Sequence, residues 1–431
     1  MSELTRPASA PDGGDGHGAG ETGPQPRTSS APDVSHPEPA TPRPGRRRWL
    51  RRATIALPVA LAVLVAGSYA TTAVLDVQPP HTLLRLATTP FSEQGELFPS
   101  RTIPAASRPL PLPQQARAAL PAQVPWKGGT LPVEEFLATT HTNAFLVLHD
   151  GKLAHQWYRE GAGPTTRMAS WSVAKSMVSL LAGQAIEAGK LSEDDRLVDV
   201  LPQLRTGGRY DEITVRHLLD MTAGVDVPED YAGNFLAGTA RMYLTRDLPG
   251  FIEDHRGLEF RPGSEGGYRS VDTELLGMVV AKAEGRPLAD LFADNIWEPV
   301  GAQDTAAWNL DREGGTEKAF CCLNATARDY AKIGQLVLDG GRVNGRQVIP
   351  KAWIARISTP APHKVNKWGY SAQWWHAIGG DGTDFSAIGI HGQYIYVNPD
   401  TRTVVVKLSD HGAEQDERET IQAMSAIAHS L

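Results

Sequence analysis

The chain has 431 residues, a formal net charge of −7, a 41% hydrophobic fraction and a 21% charged fraction, the balance of a globular protein able to bury a large core. That charge excludes a general attraction to nucleic acid, and no basic stripe lies outside the N-terminal region. The only cysteines are the neighbours Cys321 and Cys322, which are expected as buried small residues because adjacent thiols make a poor staple. No Cys/His set has zinc spacing and no Gly-rich phosphate loop occurs, so neither a metal nor a cofactor is expected.

Residues 1–52 are rich in Pro, Gly, Ser and Asp and end in Arg43, Arg46, Arg47, Arg48, Arg51 and Arg52. Such a segment buries too little apolar surface to offset its ordering entropy, which predicts a disordered tail. The 23 uncharged residues of 53–75 come next. As a helix they would reach about 34 Å, enough for a hydrocarbon core of about 30 Å. The arginines hold the N-terminus in the cytoplasm, so the rest is expected outside the cell membrane on a single-pass anchor. The alternative is a cleaved signal peptide and secretion, with Ser-Tyr-Ala or Thr-Thr-Ala as cleavage sites. Against it, the apolar run exceeds the roughly 7–15 residues of a signal peptide's hydrophobic region, and the tail before it is long.

Residues 76–126 are Pro-rich and irregular, which predicts an extended linker or stalk, its scattered Leu and Phe able to pack on the domain after it. Residues 127–431 read as one large domain. A helix is expected over 131–140, and apolar runs flanking Asp150-Gly151 predict a hairpin over 144–158. Residues 167–189, RMASWSVAKSMVSLLAGQAIEAG, read as an amphipathic helix with Gly189 at its C-terminal cap. Apolar spacing predicts helices over 213–225, 271–285, 287–301 and 324–341, the last capped by Asn324 or Thr326. The Gly/Pro-rich stretch 224–267 has the profile of a functional loop region. Strands are expected at 371–379 and within 384–410, turning at Asn398-Pro399-Asp400, and a last amphipathic helix ends the chain. This order implies an α+β fold, an antiparallel sheet flanked by terminal helices with an α-rich subdomain inserted.

Ser172 and Lys175 fall in the first turn of the 167–189 helix. Residues three apart share one helical face, with Cβ atoms roughly 5–6 Å apart. The serine therefore has an amine within reach, and its N–H lies among the unpaired donors of the helix start. Together they offer a nucleophile, a proton acceptor and half an oxyanion hole.

Further residues recur in a telling order: Tyr268-Arg-Ser270 followed by Val271-Asp-Thr-Glu-Leu-Leu, then Thr326-Ala-Arg-Asp, Gln373-Trp-Trp375 and Ile388-Gly-Ile-His-Gly-Gln393. With Ser172-Val-Ala-Lys175 ahead of them, residues 144–431 resemble the serine hydrolases related to class C β-lactamases and penicillin-binding proteins, in particular the 6-aminohexanoate-dimer hydrolase branch. The resemblance implies a β-lactamase/transpeptidase-like fold in which Ser172 attacks a carbonyl and forms an acyl-enzyme. It implies proton transfer by Lys175 and Tyr268 together. A neighbouring ammonium is expected to lower the tyrosine from its usual pKa near about 10, so that the pair shares a proton.

By the same resemblance, Ser270 replaces the more usual Asn in a supporting hydrogen-bond role, and the N–H of Ile390 joins that of Ser172 as the oxyanion hole. Gly389 suits a strand passing close to substrate. The family's Lys-Thr-Gly is matched by Ala387-Ile388-Gly389, without a lysine, which points away from β-lactams and toward amides or esters. Tyr231, in Pro-Glu-Asp-Tyr, matches a loop tyrosine that contacts substrate in that branch; a structural aromatic is the alternative. His391 is expected to support the site, and one of Trp374 and Trp375 to line the pocket, assigned to Trp375. Phe320 stands where the branch has a pocket asparagine, and His217 is expected to pack or hydrogen-bond.

The expectation is a membrane-anchored serine hydrolase cleaving a small-molecule or peptide-like amide or ester. The alternatives are a D,D-peptidase or β-lactamase of the cell-wall compartment and a non-catalytic binding or regulatory module.

Overall fold

The computed structural model describes residues 45–116, 118–230, 237–378, 380, 382–412 and 416–431, with side chains from residue 56 onward. Compactness divides the chain into Met1–Ala62 and Val63–Leu431. A helix runs over Gly45–Val74, and its Ala56–Val74 portion is long and apolar enough to cross a membrane.

The second unit is built on an antiparallel sheet that has seven strands among the described residues. Their spatial order is Gly369–Ser371, Trp374–His376, Phe385–Gly389, Gln393–Asn398, Thr403–Ser409, Thr142–His149 and Lys152–Tyr158. Successive strand residues point to opposite faces, and the burial follows that alternation. Ala144, Leu146, Leu148, Val404 and Val406 join the main core on one face. Phe145, Val147 and Val405 meet Ile421, Met424 and Ile427 of the Glu417–Ala428 helix on the other. The Asp150-Gly151 turn has φ of 48° and 75°, the doubly positive pair that a two-residue hairpin of matching twist requires.

The main core also buries the helices Val173–Glu187, Ser270–Glu284 and Ala327–Leu338. A smaller sheet carries, in order, Ser100–Ile103, Ala306–Asn309, Leu323–Thr326 and Arg167–Ala169. The α-rich segment lies between the hairpin and the later strands, so the architecture is the expected α+β one, an antiparallel sheet with an α-rich segment inserted.

Several local expectations differ. Residues 167–189 divide into a strand, Arg167–Ala169, and the helix Val173–Glu187, with Ser172 as its N-cap. Residues 76–116 and 118–126 are folded rather than extended. Proline breaks regular ladders there, but Val77, Phe98, Ile103 and Val124 are buried and Ser100–Ile103 pairs with Ala306–Asn309. The 213–225 helix shortens to Val215–Leu219, because Met221 turns the chain at φ 56°; His217 and Thr214 close a capping box. The 324–341 pattern splits into a strand, Leu323–Thr326, and a helix whose N-cap is Thr326. Cys321 and Cys322 are buried as expected, yet they are bonded to each other. Joining sequence neighbours, the bridge ties no two elements together.

Candidate active site

Ser172 is delivered by the small sheet. The Arg167–Ala169 strand pairs with Leu323–Thr326, and the Ser170 N–H donates to the Leu323 carbonyl at 2.8 Å. Trp171 then takes φ 46°, a conformation that costs a bulky residue free energy and persists only where its surroundings hold it. Its indole Nε1 donates to the Phe91 carbonyl at 3.1 Å, and its ring packs on Tyr243 and His391. The turn leaves Ser172 at the start of the Val173–Glu187 helix, 7% exposed.

Lys175, one turn on, is 1% exposed. Its Nζ lies 2.8 Å from Ser172 Oγ, 3.0 Å from Ser270 Oγ and 2.7 Å from the Phe320 carbonyl oxygen. Three polar partners meet the demand that a buried amine be hydrogen-bonded. They also fit a neutral amine, which donates two hydrogens and accepts one. Burial pulls the Lys175 pKa from 10.5 down to about 8, against Glu229 and Glu274, whose charges raise it.

Behind the lysine, Ser270 continues the chain of hydrogen bonds. Its hydroxyl donates to Glu229 at 2.7 Å, its N–H donates to the other carboxylate oxygen at 2.7 Å, and Thr239 Oγ1 donates to Glu229 at 3.0 Å. The expected supporting role of Ser270 thus has a partner that sequence reasoning missed. Glu229 stands in the same Pro-Glu-Asp-Tyr stretch as Tyr231, and an acid on a Gly/Pro-rich loop has no periodicity to mark it. Tyr231 itself lies outside the described residues.

Tyr268 precedes the Ser270–Glu284 helix, with its hydroxyl hydrogen-bonded to Ser172. Lys175 Nζ lies 5.1 Å from the Tyr268 ring centre. The expected lowering of the tyrosine pKa is corrected. Burial, with the Glu229 charge adding to it, raises Tyr268 well above 10, outweighing the hydrogen bond to Ser172. Desolvation thus drives the two groups apart, lysine toward the neutral amine and tyrosine toward the neutral phenol.

The Phe385–Gly389 strand passes directly beside Ser172. A β-carbon on Gly389 would meet Ser172 N at 3.0 Å and the Ser170 carbonyl oxygen at 2.6 Å. Ile390 follows at the edge of a cavity of about 290 Å3 that opens on Ser172 and is walled by Tyr268, Trp368, Trp375 and Ile388. Trp374, by contrast, is fully buried. His391 is not part of the cavity wall. Its ring stacks on Phe91 with centres 3.4 Å apart, its Nδ1 is 3.1 Å from the His411 carbonyl, and burial lowers its pKa from 6.5 to about 4. Phe320 is fully buried and meets Lys175 through its main-chain oxygen.

The sequence positions expected to share a site, Ser172, Lys175, Tyr268, Ser270, Gly389, Ile390 and Trp375, therefore converge. Glu229, Glu417, Trp368 and Asn366 join them at the cavity. Among the described residues no group of three or more His, Cys, Asp or Glu side chains is placed to hold a metal ion.

Residues 133–429 match the family model described as Beta-lactamase. The 6-aminohexanoate-dimer hydrolase of Paenarthrobacter ureafaciens is 28% identical over 342 residues, covering 74% of this chain and 84% of that protein. Esterase EstB of Burkholderia gladioli is 30% identical over 150 residues, 31% of this chain and 36% of its own. Among solved structures, "Putative 6-aminohexanoate-dimer hydrolase from Bacillus anthracis" superposes with a TM-score of 0.71 at 23% identity, covering 80% of this chain and 94% of that one.

Proposed function

The chain belongs to the beta-lactamase family, and from that membership we propose that it is a serine hydrolase cleaving an amide or ester through an acyl-enzyme on Ser172. The observation that carries this reading is the contact of Lys175 Nζ with Ser172 Oγ at 2.8 Å, made by a buried lysine whose pKa falls to about 8. A neutral amine at that distance is a base ready to take the hydroxyl proton.

In this reaction Lys175 accepts the Ser172 proton as Oγ attacks the substrate carbonyl. The N–H groups of Ser172 and Ile390 hold the oxygen as it gains charge, an interaction worth about 3–4 kcal/mol for each well-placed donor. When the tetrahedral intermediate collapses, the proton passes from Lys175 through the neutral Tyr268 hydroxyl to the leaving amine or alcohol. Water then attacks the ester on Ser172 and gives a proton through Tyr268 to Lys175; as the acyl–Oγ bond breaks, Lys175 returns that proton to Ser172 Oγ and the acid leaves. Ser270, itself held by Glu229, keeps Lys175 in place, and the charges of Glu229 and Glu274 keep its proton affinity from falling further.

The names of two relatives, a 6-aminohexanoate-dimer hydrolase and an esterase, span the amide and ester substrates of this reading. A second reading, D,D-peptidase or β-lactamase, draws on a relative named Penicillin-binding protein 4 from Amycolatopsis lactamdurans, 24% identical over 56% of this chain and 72% of that protein. The strand Ala387-Ile388-Gly389 supports it less, since it offers no lysine to a substrate carboxylate. The intact Ser172, Lys175 and Tyr268 set supports catalysis over a non-catalytic module. Residues 56–74 serve in this reading as the membrane anchor, with the arginines cytoplasmic and the hydrolase outside.

A substrate panel of esters, linear amides, D-amino-acid peptides and β-lactams tests the proposal. Turnover of an ester or linear amide that disappears in Ser172→Ala supports it. Penicillin labelling with slow release and no such turnover supports the second reading.

A further inference from the structure

Two carboxylates face the cavity beside Ser172, and they differ in how they are used. Both oxygens of Glu229 are taken by Ser270 and Thr239. Glu417 lines the same cavity from the first residue of the Glu417–Ala428 helix. Its neighbour Asp416 pairs with Lys127 at 2.8 Å, but among the described residues no Lys or Arg forms an ion pair with Glu417. Its charge reaches Tyr268, whose pKa it raises, and burial raises its own carboxyl pKa above 4.5.

The wall it shares is aromatic. Trp368 and Trp375 meet edge to face with centres 5.8 Å apart, and Tyr268 lies 5.2 Å from Trp375. An aromatic face and a carboxylate are the two groups that attract a cation taken out of water. Positive charge is scarce on the protein side. Lys175 is committed to Ser172, Ser270 and the Phe320 carbonyl. Lys364 and Lys367 are exposed and do not line the cavity. A carboxylate-bearing substrate would meet Glu417 with nothing to neutralise either charge.

We propose that the substrate carries a cationic group, an alkylammonium, seated between Glu417 and the Trp368–Trp375 corner, and that Glu417 is the specificity-determining residue that selects it over a neutral or anionic counterpart. The proposal rests on the hydrolase reading for its orientation toward Ser172. The cation would offset the desolvation of Glu417, and Glu417 would reject the carboxylate that β-lactams and D,D-peptides present.

The test uses the purified full-length protein and three p-nitrophenyl esters that share one acyl chain, ended by methyl, trimethylammonium or carboxylate. Wild-type kcat/KM is expected to favour the cationic ester over the neutral one by at least about tenfold and to disfavour the anionic one. In Glu417→Gln the cationic-to-neutral ratio is expected to fall toward one, chiefly through KM, and in Glu417→Lys the preference is expected to invert. A parallel titration follows tryptophan fluorescence with butyltrimethylammonium and with pentanoate, which reads binding without chemistry. A ratio unmoved by Glu417→Gln, or tighter binding of pentanoate than of the ammonium, overturns the proposal. Absence of Ser172-dependent turnover overturns the hydrolase reading instead, and the fluorescence titration still decides the cation site.

Discussion

Gly389 passes so near Ser172 that no side chain fits between them: a β-carbon on Gly389 would sit 3.0 Å from Ser172 N and 2.6 Å from the Ser170 carbonyl oxygen. Backbone atoms cannot swing aside as a side-chain tip can, so any side chain at 389 must displace the strand or the serine turn. Both moves disturb the geometry between the Ser172 and Ile390 N–H groups. Gly389→Ala is therefore expected to lower kcat/KM by on the order of 10²-fold, the scale of one lost oxyanion donor. The check is ester kinetics alongside far-UV circular dichroism, which should still report a folded protein.

In the proposed mechanism the Lys175 pKa sets the pH dependence. With its pKa lowered to about 8, the lysine is an ammonium below that pH and cannot accept the Ser172 proton. It becomes a competent base as pH rises through it. The kcat/KM profile of the wild type is expected to climb with pH through an inflection near about 8. Because the Glu229 charge raises the Lys175 pKa, Glu229→Gln is expected to move that inflection to lower pH. A profile flat across this range would remove Lys175 from the role of base.

Tyr268 is expected to stay protonated throughout, since burial holds it well above 10. In the proposed mechanism its part is to relay a proton to the leaving group. Tyr268→Phe should therefore cost an amide about 10²–10⁴-fold in kcat, the usual scale for general acid–base catalysis. A p-nitrophenyl ester, whose leaving group needs no proton, should lose much less. Equal losses on the two substrates would show that the hydroxyl does something other than protonate.

Part of the fold and the Ser172–Lys175 pair of the candidate site were legible in the sequence because they lie where local rules operate, whereas Tyr268, Ser270, Ile390 and Trp375 came from the family resemblance. The Ser172–Lys175 spacing is a helix rule, the Asp150-Gly151 hairpin a turn rule, and the β-branched run within Thr403–Ser409 a strand rule. Glu229 and Glu417 were not legible. One sits on an aperiodic loop and the other at a helix end, where acids are common for reasons of helix polarity alone. The direction of the Tyr268 shift was also hidden, because a charge pair can be guessed from motifs whereas the depth of burial that overrides it depends on Trp375 and Tyr370 packing around the ring. Residues 76–126 misled by composition: their prolines suggested a stalk, while Ile103 and Phe98 are buried.

That segment gives a fourth expectation. Gln78 N donates to the Leu244 carbonyl at 2.9 Å and Arg246 N to that of Asp76 at 2.9 Å, while Phe91 supports both Trp171 and His391. A fragment of residues 76–431 is expected to unfold in one cooperative thermal transition. A fragment of 127–431, stripped of a sheet strand and of the support under Trp171, is expected to give none. Calorimetry on the two fragments checks this.

The central claim is that Ser172 becomes acylated, and intact-protein mass spectrometry after reaction with a fluorophosphonate and with a p-nitrophenyl ester tests it most directly. A single covalent adduct that maps to Ser172 is expected, absent from Ser172→Ala together with ester turnover. An adduct on another residue, or undiminished turnover by Ser172→Ala, would contradict it.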